Sequence, residues 1–160
     1  MKSNQNSGKA IIFVDIRGFS KVSEGGVIGQ DFILGYYESI RKNCESDFIK
    51  YLGDGAMIVS EHTIEISKII EKCENIRNSF LELLNDIHTE GGIDLPFSLG
   101  FGITRATRNV IEIRNTLSNK HVALCDYFSP MINLASRLCE FARPSGIVIH
   151  QESFPSLHYS

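Results

Sequence analysis

The sequence predicts an α+β domain. Three observations carry this: short apolar runs of strand length, two long segments with helical period between them, and the order in which they alternate. Residues 9–16 form a β-rich apolar run ending at Asp15 and Ile16, followed by the turn residues Arg17-Gly18-Phe19-Ser20. Phe32, Ile33, Tyr36, Tyr37, Ile40 and Cys44 then recur at helical spacing and predict a helix over 30–44. Two short strands follow, 47–52 and 56–60, joined by the hairpin signal Gly53-Asp54-Gly55. The longest periodic stripe runs from Ile66 through Phe80 to Ile87 and stops at Gly91-Gly92. Residues 97–103 are again strand-like.

That order, β-α-β-β-α-β, is the split βαβ or ferredoxin-like arrangement, here with a C-terminal extension. In the extension, residues 105–125 read as one strand and a loop. Ser129-Pro130 supplies a helix start, with serine as cap and proline in the first turn. The helix is expected to reach about Ala142, and a last strand covers 147–150.

With 160 residues, 42% hydrophobic, the chain can bury one core, so 9–160 reads as a single domain behind a polar lead-in at 1–8. A formal charge of −3 supplies no basic field for nucleic acid or an anionic membrane, and no apolar run reaches membrane-spanning length. Residues 1–8 lack the apolar stretch of a secretory signal. Cys44, Cys73, Cys125 and Cys139 are scattered without a C-x-x-C pair, as reduced thiols of a cytoplasmic protein would be.

The chemistry-bearing residues are carboxylates at strand ends. An ionised Asp15 or Asp54 beside apolar strands is costly unless it is paired or bound to a cation. In a β-α-β-β sheet the first and third strands are neighbours, which brings the two carboxylates together. Such a pair suits magnesium or manganese, which take oxygen ligands and also bridge phosphates. The N–H groups of Gly18, Phe19 and Ser20 follow at once and can cradle a phosphate.

Three segments resemble a known family. Phe13-Val14-Asp15-Ile16-Arg17-Gly18-Phe19-Ser20 is similar to the first metal motif of class III adenylyl and guanylyl cyclases, and Lys50-Tyr51-Leu52-Gly53-Asp54-Gly55 to the second. The stretch from Asp126 to Leu138 is similar to the third. The resemblance covers roughly residues 9–150 and implies the class III cyclase fold. It further implies an enzyme that converts a nucleoside triphosphate to a 3′,5′-cyclic nucleotide and pyrophosphate. Asp15, Asp54 and the Ile16 carbonyl would hold two divalent metal ions (Mg2+ or Mn2+). Asn133 and Arg137, four apart on one helix face, would orient the ribose and stabilise charge on the α-phosphate. A head-to-tail homodimer with shared active sites is implied, because the family takes these two groups of residues from opposite subunits.

Lys50 and Asp126 stand where members acting on ATP read the base, with Tyr51 beside Lys50; this argues against GTP and leaves adenine and the pyrimidines open. The 39-residue spacing of Asp15 and Asp54, the aromatics Tyr51 and Phe128 (for which core packing is the other reading), and Ser129-Pro130-Met131 in place of a glycine-containing turn depart from the usual pattern. They resemble bacterial Pycsar-type pyrimidine cyclases, which signal phage infection with cyclic UMP or CMP, and lean the expectation toward UTP or CTP over ATP. Many members carry a lysine for the outer phosphates on a further strand pair; Arg17, Lys120 or His121 are the candidate substitutes by position, with ordinary solvated surface as the other reading of each. The readings from other classes are a cyclase-like domain that binds nucleotide without catalysis, a diguanylate cyclase relative, and an RNA-binding module. The complete set Asp15, Asp54, Asn133 and Arg137 counts against the first. Gly53-Asp54-Gly55 does not match the hairpin of the second, and the charge disfavours the third.

Overall fold

A computed structural model describes residues 8–19, 29–60, 65–107, 111–117 and 122–155. Its strands are β1 (Lys9–Arg17), β2 (Phe48–Tyr51), β3 (Gly55–Ser60), β4 (Ser98–Ala106), β5 (Ile111–Leu117), β6 (Val122–Phe128) and β7 (Gly146–Ile149). Helix α1 (Gln30–Arg41) follows β1, α2 (Ile66–Gly91) follows β3, and α3 (Pro130–Phe141) follows β6. A 3-10 turn, Gln151–Ser153, comes after β7.

Five strands form one sheet in the order β2-β3-β1-β4-β7, with β7 parallel to β4 and the other neighbours antiparallel. The first four strands have the predicted ferredoxin-like order, and β1 lies beside β3 as expected. Alternation along β1 turns Ala10, Ile12, Val14 and Ile16 toward α1 and α2. There they meet Tyr36, Ile40, Ile69, Cys73, Ile76 and Phe80 in the main core. Ile11 and Phe13 face the other way and pack on Ala135, Met131 and Ile132 of α3.

Helix α3 sits directly on β4. A Cβ at Gly102 would collide with the Ala135 carbonyl and the Cys139 backbone N–H, so only glycine permits this approach. The Thr104 hydroxyl donates to the Met131 carbonyl at 2.8 Å and anchors the helix start. The predicted serine cap is present: Ser129 accepts from the Met131 N–H at 3.2 Å. Helix α2 ends, as its glycines predict, with Gly92 in the left-handed region at φ 64°.

One expectation is corrected. Residues 105–125, read as one strand and a loop, include β5 and the start of β6, which form a separate two-stranded antiparallel ribbon. The ribbon stands outside the main sheet, so the β-α-β-β-α-β order does not anticipate it. Tyr127 is its buried anchor, edge-on to Phe48 with centroids 4.9 Å apart, while Ile111 and Phe128 stay exposed.

Candidate active site

Asp15 lies on the α3 face of β1, opposite Gly55 of β3 on one side and Gly100 of β4 on the other. With glycines on both flanks, no neighbouring strand side chain covers the carboxylate. Asp54 sits in the β2–β3 hairpin, where Gly53 adopts φ 78° and Leu52 N–H donates to the Gly55 carbonyl at 2.8 Å. The Ile16 N–H donates to the Asp54 carbonyl at 2.9 Å, which ties this hairpin to β1. Burial pushes the Asp15 carboxyl up to about 6, and the Asp54 charge pushes it in the same direction.

The two carboxylates repel each other, Arg17 offsets only part of that charge at Asp15, and a cation would relieve the rest; the ligand atoms on offer are oxygens. The N–H and C=O of a strand residue point to the same side, so the Ile16 carbonyl also faces the hairpin. Among the described residues no cluster of three His, Cys, Asp or Glu side chains surrounds a metal position. Two carboxylates and one backbone carbonyl would suit hard cations that keep water or phosphate as further ligands.

The turn after β1 is held by Gly18 at φ 89°. The Phe19 ring is committed to the interior, 6.4 Å from Phe32 and 6.0 Å from Phe97, so only its backbone is free for a phosphate. Ser20, Lys120 and His121 lie outside the described residues.

A second cleft, of about 590 Å³, opens between β2, the ribbon and α3; Lys50, Asp126, Phe128 and Asn133 line it. Lys50 donates to Asp126 Oδ2 at 2.5 Å, and the Tyr127 N–H donates to Oδ1 at 2.9 Å. The lysine bond holds the Asp126 carboxyl below the usual carboxylate range. Tyr51 does not join them. It follows Lys50 on β2 and so points to the opposite face, where its ring lies 4.1 Å from that of Tyr37 on α1. The base-reading role expected of Tyr51 is corrected to packing on α1.

The predicted residues thus fall into two groups. Asp15 and Asp54 come together, as do Lys50, Asp126 and Asn133. The carboxylate cleft, about 360 Å³, is walled by Ser136, Cys139 and Glu140 of α3 and by Arg143. Phe13 and Leu52 line both clefts. Arg137 is exposed on α3.

Sequence reasoning missed one partner. Arg17, read there as a phosphate ligand or a solvated side chain, is nearly buried and donates to Asp15 Oδ2 at 2.8 Å. The signal was the i, i+2 spacing, which puts both side chains on one strand face.

The family profile described as "Adenylate and Guanylate cyclase catalytic domain" matches residues 1–159. The adenylyl cyclase CyaB from P. aeruginosa has a similar structure: TM-score 0.77 and 21% identity, covering 92% of this chain and 79% of that one. The guanylyl cyclase Cya2 matches with TM-score 0.76 and 15% identity over 95% of this chain and 79% of that one. The non-canonical dimeric guanylyl cyclase domain of the RhoGC fusion protein from the aquatic fungus Blastocladiella emersonii matches with TM-score 0.63 and 17% identity, covering 93% of this chain and 82% of that one. No curated protein sequence matches. Fold and family together define the class: a nucleotide cyclase, a phosphorus–oxygen lyase with the class III cyclase fold. The chain belongs to the adenylate and guanylate cyclase catalytic domain family. Among the described residues, no helix is long and apolar enough to cross a membrane.

Proposed function

We propose that this domain converts a nucleoside triphosphate to its 3′,5′-cyclic monophosphate and pyrophosphate in a head-to-tail homodimer. The observation that carries the reading is the convergence of Asp15 and Asp54 at the β1 end and the β2–β3 hairpin. Asp15, Asp54 and the Ile16 carbonyl would hold two divalent ions, which supply charge neutralisation and a lowered pKa for the ribose 3′-hydroxyl. The 3′-oxygen, its proton passed to solvent water, then attacks the α-phosphorus in line, and the bond to the departing pyrophosphate breaks. Backbone N–H groups after Gly18 bind phosphate oxygens. Asn133 orients the ribose, and Arg137 donates to the α-phosphate as charge builds there.

The dimer is supported by the division of the site. In one chain Asp15 lines one cleft, Asn133 lines another with the base-reading pair, and Arg137 is exposed. Leu52, Ile111 and Phe128 stay exposed around the second cleft, apolar surface that a second copy would cover. A monomer would then be inactive.

The Lys50–Asp126 pair favours a base edge with a ring acceptor beside an exocyclic amine. Cytosine and adenine present that edge; guanine and uracil reverse it at the ring nitrogen. CTP is therefore the pyrimidine best matched to the cleft, and ATP is the second reading on the same observation. UTP would have to use its carbonyls on Lys50 alone. The pyrimidine reading carries with it a role in antiphage signalling. Incubating purified protein with ATP, GTP, CTP and UTP in turn, with manganese, tests the assignment. A cyclic product from CTP or ATP is expected. No product from any of the four, at concentrations where dimer is present, would defeat the enzyme reading, and product chiefly from GTP would defeat the base assignment.

A further inference from the structure

Arg17 is built into the carboxylate cleft. It follows Asp15 by two residues on β1, and its side chain is only 10% exposed. Nη1 donates to Asp15 Oδ2 at 2.8 Å, while Nη2 donates to the Cys139 carbonyl and lies 3.5 Å from Cys139 Sγ. The guanidinium lies across Gly100, where an added Cβ would come within 2.6 Å of both Nε and Nη2. On the other side of the carboxylate, a Cβ on Gly55 would stand 3.4 Å from Asp15 Oδ1. Gly55 adjoins Asp54. The two oxygens of Asp15 are therefore divided: Oδ2 belongs to Arg17 over β4, and Oδ1 is turned toward the hairpin.

We infer that Arg17 is a positioning residue of the metal site: it fixes Asp15 Oδ2 to the Cys139 carbonyl of α3 so that Oδ1 faces Asp54. The inference rests on the proposed metal role of that pair. A carboxylate has about four lone-pair sites, so one oxygen can ligate while the other is held. The planar guanidinium can bridge two acceptors on different elements, whereas a lysine ammonium is a point charge on a flexible stem. The bridge also ties the carboxylate to the helix that carries Asn133 and Arg137. Gly100 is needed because any side chain there would displace the guanidinium.

The test is manganese binding to the intact protein without nucleotide, followed by the loss of the free-ion EPR signal at neutral pH. Wild type binds; Arg17→Met should bind roughly 10–100-fold more weakly, the usual cost of losing a group that holds a ligand. Arg17→Lys, which keeps the charge and much of the length, should fall between them, and it guards against a folding failure in the methionine variant. Thermal unfolding establishes which variants are folded. Unchanged or tighter manganese binding in a folded Arg17 variant overturns the inference, because Arg17 would then be neutral to the metal or compete with it. Failure of the wild type to bind manganese is a different result: it removes the metal reading of Asp15 and Asp54, and this inference with it.

Discussion

The two faces of the central sheet are built from the same strands but serve opposite ends, and β4 shows the difference most clearly. Its sequence Leu99-Gly100-Phe101-Gly102-Ile103-Thr104 alternates large apolar residues with small ones. Leu99, Phe101 and Ile103 enter the core beneath α1 and α2, each at most 1% exposed. Gly100, Gly102 and Thr104 pair with Asp15, Phe13 and Ile11 on the other face. There the small residues let α3 settle on the backbone and leave room for Arg17. One face is filled and apolar; the other is kept open, with a carboxylate cleft and the Lys50–Asp126 cleft on it. Rigidity on the first face is what allows charged groups on the second to be held in place.

That comparison can be broken from either side. The largest effect belongs to the open face: Asp54→Asn should lower turnover about a thousandfold, since charge stabilisation at the phosphates is lost. Its melting temperature without metal should be unchanged or higher, because Asp54 disfavours the charge on Asp15. On the filled face, Phe80→Ala should cost about 3–5 kcal/mol in denaturant unfolding. Manganese affinity should be unaffected at temperatures where that variant is folded. A variant that lost metal binding while still folded would show the faces to be less separate than described.

Smaller effects sharpen the division within the open face. Asp126→Asn should raise KM for the preferred nucleotide by about tenfold with little change in kcat, as expected for a contact made equally in ground and transition states. The Asp15 carboxyl should titrate near 6 in carbon NMR of the metal-free protein. It should move down in Asp54→Asn and up in Arg17→Met, because Asp54 raises it and Arg17 lowers it. Between the usual carboxylate range and about pH 6, the folded chain holds a proton that the unfolded chain has lost. This group's contribution to stability therefore falls as pH rises through that window.

The filled face was legible in the sequence because burial imposes period: the stripe from Ile66 to Ile87 and the run at 9–16 can be read residue by residue. The hairpin at Gly53-Asp54-Gly55 was legible from turn chemistry, and with it the meeting of Asp15 and Asp54. The β5–β6 ribbon was not, because it stands outside the main sheet and lies beyond the β-α-β-β-α-β order that the rest of the chain follows. Tyr51 was misassigned because adjacency in sequence was read as adjacency in space; on a strand, the residue next to Lys50 is on the opposite face. Arg17 was missed for the converse reason, that two residues apart on a strand means side by side.

The central claim is a cyclase whose site is shared between two copies of the chain. The most direct measurement mixes Asp54→Ala with Arg137→Ala protein under conditions where subunits exchange, and assays cyclic nucleotide formation. Each variant alone should be inactive. The mixture should recover about a quarter of wild-type activity if subunits mix at random, since half the dimers are then mixed and each restores one of its two sites. A mixture that stays inactive while exchange is demonstrated would contradict the account.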